Sequence, residues 1–93
     1  MRKSEILLLV QMDLGFLSLD ETRTTQLNHL IETSIAMMAR EGICLSEPFS
    51  AEDAQLIVMY SSYLFRKRAT NEGMPRMLRW TLNNRIFGKK GGE

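Results

Sequence analysis

The stretch from residue 50 to residue 68 limits the fold most narrowly, because its apolar residues surround the axis of any helix that it forms. At ~100° per residue, its apolar side chains cover almost the whole circumference: Leu56, Ile57, Val58, Met59, Tyr60, Tyr63, Leu64 and Phe65. Only Gln55, Ser62 and Arg66 align in a narrow polar stripe. A helix that is apolar on nearly every side is buried. The sequence therefore predicts a central helix around which the rest of the chain packs.

Glycine and proline residues divide the chain into four segments with helical periodicity. We expect helices over residues 4–14, 20–41, 50–68 and 75–87. The pattern predicts an all-α protein, a compact bundle of four or five helices with the apolar third helix at its centre. A chain of 93 residues is long enough for one modest core, so we expect a single domain over residues 1–88 and a flexible tail over residues 89–93.

The residues at the expected helix ends are types that commonly cap helices. Ser4, Asp20 and Ser50 are the predicted N-caps, and Gly15 and Gly42 stand where a left-handed residue ends a helix. The second segment is the clearest amphipathic helix. Its buried face is predicted to consist of Leu27, Leu30, Ile31, Ser34, Ile35 and Met38.

The fourth segment is predicted to begin at Pro75 and to stop before Gly88. Its predicted core arc consists of Met74, Met77, Leu78, Thr81, Leu82 and Ile86. Arg85 falls near the centre of this arc. We expect it to be a buried charge that either extends past the helix end or pairs with the carboxylate of Asp13 or Asp53.

Trp80 and Phe87 project together away from that arc, beside Arg76. Tryptophan and arginine dominate the energetics of protein interfaces. We therefore predict an oligomer or partner interface formed by Arg76, Arg79, Trp80, Asn83 and Phe87. The alternative is that the bundle wraps more widely around this helix, so that Trp80 belongs to the core.

A second reading of the fourth helix is a small DNA-binding regulator. Arg76, Arg79 and Asn83 share one face, and arginine and asparagine can read base edges. The formal net charge of +1 provides no strong overall attraction to nucleic acid.

Few residues are available for chemistry, and we expect the protein not to be an enzyme and to need no metal or cofactor. The chain has one histidine and one cysteine, too few for a Cys/His zinc site or a disulfide within the chain. His29 is predicted to be a solvated surface residue and Cys44 a buried, inert thiol. The adjacent Glu52 and Asp53 suit a helix N-terminus rather than a carboxylate pair.

The longest apolar run in the first segment, residues 6–10, is far shorter than the ~20 residues of a membrane span. It also lacks the cleavage site of a secretory signal. We therefore expect no membrane association, an intracellular protein and a reduced Cys44.

Several stretches resemble one protein family. They are Asp13-Leu14-Gly15, Leu27-Asn28-His29-Leu30-Ile31-Glu32, Arg40-Glu41-Gly42-Ile43, Glu52-Asp53-Ala54-Gln55-Leu56-Ile57-Val58-Met59-Tyr60, Tyr63-Leu64-Phe65-Arg66-Lys67-Arg68 and Gly73-Met74-Pro75-Arg76-Met77-Leu78-Arg79-Trp80-Thr81-Leu82-Asn83-Asn84-Arg85. Over residues 4–87 the chain resembles the small head–tail connector (adaptor) proteins of tailed bacteriophages, also labelled phage DNA-packaging proteins. The last two stretches are the most specific, since the others are common in helices.

The resemblance implies a non-enzymatic virion protein at the head–tail junction that is present in the host cytoplasm during assembly. Such proteins form a ring beneath the portal protein, usually dodecameric, and many are monomeric until they meet the portal. They join the DNA-filled head to a tail or stopper protein, and DNA passes through the ring without sequence-specific contacts. The resemblance supplies no catalytic residue and no cofactor. We also expect residues 88–93 to become ordered on the portal or on a tail partner.

Overall fold

The computed structural model describes residues 1–70 and 73–91, with side chains as far as residue 87. Its four helices are α1 (Lys3–Leu14), α2 (Glu21–Arg40), α3 (Ala51–Thr70) and α4 (Arg76–Gly91). The described ranges contain no strand. The predicted all-α bundle of four helices is therefore confirmed.

The third helix lies at the centre of the bundle. It contacts each of the other three helices, α1 and α2 also contact one another, and α4 packs against no described helix except α3. Eight residues of α3 are buried: Ala54, Leu56, Ile57, Val58, Tyr60, Ser61, Ser62 and Tyr63. The predicted central position of this helix is correct.

Ser62, which the sequence placed in a narrow polar stripe of α3, is buried together with Ser61. The Ser61 hydroxyl lies 3.2 Å from the hydroxyl of Ser34 on α2, and Ser34 donates to the carbonyl oxygen of Ile31 at 2.8 Å. Ser34 and Ser61 thus satisfy part of their hydrogen bonding within the interface between α2 and α3, whereas the buried Ser62 hydroxyl has no hydrogen-bond partner among the described residues. A helical wheel of α3 alone does not show that Ser61 meets α2 or that Ser62 is buried.

The amphipathic pattern of α2 is confirmed on both faces. Leu27, Leu30, Ile31, Ser34 and Met38 are buried, and Ile35 is half-buried. His29 and Glu32 on the opposite face are exposed.

Most of the predicted caps are present. The Asp20 carboxylate accepts from the Arg23 N–H at 2.7 Å, and the Ser50 hydroxyl accepts from the Asp53 N–H at 3.1 Å. Gly15 and Gly42 have φ of 82° and 94°, which is the left-handed conformation that glycine adopts most easily.

The predicted N-cap of α1 is wrong, because the helix begins at Lys3 and includes Ser4. Two carboxylates satisfy the backbone donors at this end. Glu5 accepts from the Arg2 N–H at 2.9 Å, and Glu47, from the loop before α3, accepts from the Lys3 N–H at 2.7 Å. The second contact spans 44 residues of sequence, so it is not visible in the local pattern.

Both of the last helices are longer than predicted. The third continues to Thr70, and the fourth begins at Arg76, directly after Pro75, and continues through Gly88 to Gly91. A glycine inside a helix costs only about 1 kcal/mol relative to alanine, so Gly88 weakens the helix without having to end it. Residues 92 and 93 of the expected tail lie outside the described residues, and the flexibility of the tail stays a prediction.

The two predicted caps, Asp20 and Ser4, provide a matched test of the helix ends. We expect Asp20→Ala to lower the free energy of unfolding by about 1 kcal/mol, since the Arg23 N–H loses its acceptor. Ser4→Ala should change it by less than about 0.5 kcal/mol, because Ser4 is an exposed residue inside α1. Urea unfolding followed by circular dichroism measures both. Equal losses would place the N-cap of α1 at Ser4 after all.

Candidate interaction surface on the fourth helix

Two leucines anchor α4 to α3. Leu78 and Leu82 are fully buried, while Met74, Thr81 and Ile86 are partly buried around them. Met77, which the sequence placed in the core arc, is 64% exposed. Because α4 packs against only one described helix, the covered arc is narrower than the apolar arc of the sequence.

The side of α4 opposite these leucines carries a stripe of four residues: Arg76, Trp80, Asn83 and Phe87. Their spacing of 4, 3 and 4 residues keeps them within a narrow angle at ~100° per residue. Trp80 and Phe87 are 63% and 66% exposed. The sequence correctly placed both aromatic residues outside the core arc. We call this stripe the α4 face.

A shallow groove of about 520 Å³ runs beside the α4 face. It is lined by Arg76, Met77, Arg79, Trp80 and Asn83. Four of the five residues predicted as an interface therefore line one groove, and Phe87 lies one turn beyond Asn83 on the same face.

Arg79 differs from the other members of the predicted interface. Its Nη2 pairs with the carboxylate of Glu41, the residue after α2, at 2.5 Å. Its Nε is buried and has no hydrogen-bond partner among the described residues. Arg79 thus ties α4 to the end of α2, and its guanidinium is only partly available to a partner molecule.

Tyr60 on α3 is nearly fully buried. Burial raises the pKa of its hydroxyl, the negative charge of Glu41 raises it further, and Arg79 opposes the shift. The phenol therefore stays protonated at neutral pH, and it lies 4.0 Å from the sulfur of Met37.

The prediction for Arg85 is partly correct. Its Nη2 lies 2.8 Å from the Asp53 carboxylate, one of the two expected partners, whereas Asp13 pairs with Arg66 at 3.6 Å. The side chains of Arg85 and Asp53 are 37% and 23% exposed, so Arg85 is not a buried charge. The pair lines a second groove, of about 660 Å³, between α3 and α4. Water reaches both groups there and lowers the cost of holding the charges.

The residues considered for catalysis are not brought together. His29 is exposed, as predicted. Cys44 is also exposed, which corrects the predicted buried thiol. It lies in the segment after α2, between buried Ile43 and half-buried Leu45. Among the described residues, no group of three His, Cys, Asp or Glu residues could hold a metal ion.

A second exposed apolar surface was missed by the sequence reasoning. Leu8 and Met12 on α1 are 54% and 66% exposed, and Leu17 in the following loop is fully exposed. Leu8 and Met12 lie opposite the buried Ile6 and Val10 on the helix. The apolar residues of α1 surround its axis, so its sequence does not show which side is covered. We call the exposed stripe of Glu5, Leu8 and Met12 the α1 face.

Comparisons with protein-family models, with curated proteins and with solved structures found no match for this chain. Within the described part of the chain, no helix is both long and apolar enough to cross a membrane.

Proposed function

We propose that the chain is a structural protein of a tailed-phage virion, a head–tail connector that assembles as a ring beneath the portal protein. Two independent lines support this proposal. The stretches from residue 52 to residue 60, from 63 to 68 and from 73 to 85 resemble the connector family, and the α4 face has the composition of a protein-binding surface.

The observation that carries the proposal is the exposure of Trp80 and Phe87 on the α4 face. Large aromatic side chains exposed on one face of a helix are typical of interfaces. Arg76 stands at the same face, and among the described residues it makes no ion pair. A ring subunit needs such a surface, because every copy must contact two neighbours.

The proposed partners are further copies of the chain, the portal protein and a tail or stopper protein. DNA would pass through the lumen of the ring. Its contacts with arginine side chains there would be independent of sequence and would weaken steeply with salt.

The alternative, a DNA-binding regulator, requires the arginines of α4 to reach base edges. The guanidinium of Arg79 is held by Glu41 and that of Arg85 by Asp53, which leaves Arg76 and Asn83 on the outer face. These contacts favour the connector over the regulator.

The test is to mix the full chain with the portal protein encoded by the same genome and to image the product by electron microscopy. We expect a ring of the chain on one end of the portal. A sequence-specific footprint on DNA at ~150 mM salt, together with no binding to portal, would contradict the connector and support the regulator. A monomer in the absence of portal agrees with the proposal, since assembly then begins on the portal.

A further inference from the structure

The α1 face and the α4 face belong to two different helices. Each is directed away from the residues that anchor its helix to the core, Ile6 and Val10 in α1 and Leu78 and Leu82 in α4. Both helices pack against α3, and in the described residues they do not contact one another. One copy therefore presents two separate apolar surfaces, each of which can meet a different neighbour.

The two faces also carry opposite charges. Arg76 is the charged residue of the α4 face, and Arg79 and Arg85 of the same helix are paired with Glu41 and Asp53 of the same copy. The charged residue of the α1 face is the exposed Glu5, whereas Asp13 at the end of α1 lies off this face and is paired with Arg66 of the same copy.

The one basic residue of α1, Lys3, is already paired with Glu32 of the same copy at 2.7 Å. That hydrogen bond is the main reason why the pKa of Lys3 is raised. Glu5 therefore gives the α1 face one negative charge, opposite in sign to that of Arg76.

We infer that the α4 face of one copy docks on the α1 face of a second copy, with Trp80 and Phe87 packed against Leu8 and Met12. Arg76 then lies on the side that meets Glu5. Opposite charges at the rim of an apolar contact guide association and fix its orientation. The inference rests on the proposed function, because it identifies the contact through which that ring forms.

The contact is heterologous, since two different patches of the same chain meet. Repetition of a heterologous contact joins copies head to tail and yields either a closed ring or an open filament. An isologous contact between two α4 faces would stop at a dimer, so the two arrangements differ in the products that cross-linking captures.

The experiment uses the full chain with its single cysteine removed, Cys44→Ser, and new cysteines beside the two faces. Ser4→Cys and Asn84→Cys lie at exposed polar positions next to the α1 and α4 faces, so the apolar residues of the contact are kept. A short bis-maleimide linker is added to the chain alone at high concentration and to the complex with portal. The control variant carries His29→Cys on the exposed side of α2.

We expect the double variant to give a ladder of dimers, trimers and larger species. A mixture of the two single variants should give dimers only, and the His29→Cys control should remain unlinked. Adding Trp80→Glu to the double variant should reduce the linked fraction at least ~10-fold, as expected when a central interface residue is lost.

Dimers of Asn84→Cys alone would overturn the inference in favour of an isologous α4 contact. Absence of the ladder both alone and on portal would also overturn it. A portal-bound ring without links between Ser4→Cys and Asn84→Cys would leave the connector standing and refute this contact. A ladder without portal binding would support the contact and refute the connector.

Discussion

Replacement of Trp80 by glutamate is expected to abolish ring assembly on the portal while the four-helix domain stays folded. Trp80 is 63% exposed and lies opposite the buried Leu78 and Leu82, so the core does not depend on it. Substitutions at exposed positions away from special features usually change the free energy of unfolding by less than about 0.5 kcal/mol.

The loss of assembly should be large because of the area that Trp80 offers to a partner. An aromatic side chain can bury about 150–250 Å², and burial of the exposed share contributes about 2–4 kcal/mol at ~25 cal/mol per Å². A loss of 2.8 kcal/mol weakens one contact by about 100-fold. Glutamate also brings a carboxylate into an apolar contact, and every contact of the ring carries the same defect.

Assembly is measured by electron microscopy of portal complexes and by sedimentation, and folding by circular dichroism. Trp80→Phe is the conservative variant and should retain most of the assembly. His29→Glu, on the exposed side of α2, is the matched control for an added carboxylate and should assemble normally. An unfolded Trp80→Glu protein would mean that Trp80 belongs to the core, and a folded variant that assembles normally would remove the α4 face from the interface.

Leu82→Ala is expected to cause the largest loss of stability among the α4 substitutions. Leu82 is fully buried, and truncation of a buried leucine to alanine costs about 2–5 kcal/mol. That is a large part of the 5–15 kcal/mol by which a domain is typically stable. The loss should be near the upper end only if the neighbouring side chains fail to fill the space, since the cost rises with the cavity that remains.

Met77→Ala is the matched control, because the sequence placed both residues in the same core arc. Met77 is 64% exposed, so its truncation should change the free energy of unfolding by less than about 0.5 kcal/mol. Urea unfolding measures both variants, with a shift of the midpoint and no change of slope expected for Leu82→Ala. Similar losses for the two variants would mean that α3 covers a wider arc of α4 than the structure gives.

The number of helices, the central helix and the buried face of α2 could all be predicted, because each follows from the spacing of apolar residues within one segment of the chain. A helix with one apolar side, such as α2, buries that side against the core. The caps at Asp20 and Ser50 were predictable for the same reason, since each acts within three residues of itself. The outward position of Trp80 and Phe87 followed from the angle between them and the core arc.

The start of α1 and the exposure of Cys44 were predicted wrongly, and the burial of Ser62 was not predicted. Each depends on what lies against the segment in space. Glu47 reaches the first turn of α1 from 44 residues away, and Ser61 of α3 meets Ser34 of α2. Cys44 is exposed although its neighbours Ile43 and Leu45 are buried and half-buried.

The sequence by itself determined that this protein is an all-α bundle around an apolar third helix, because the spacing of apolar residues within each segment is enough to predict a helix and its apolar sides. Only the tertiary structure decided which side of α1 is left uncovered and how wide an arc of α4 is covered by α3. It leaves Leu8, Met12 and Met77 exposed, and it pairs Arg79 with Glu41 and Arg85 with Asp53. The physical reason is that exposure depends on the neighbours of a helix, and α4 has a single helical neighbour in the described chain. An apolar residue on a wheel is thus a core residue only where another helix meets it.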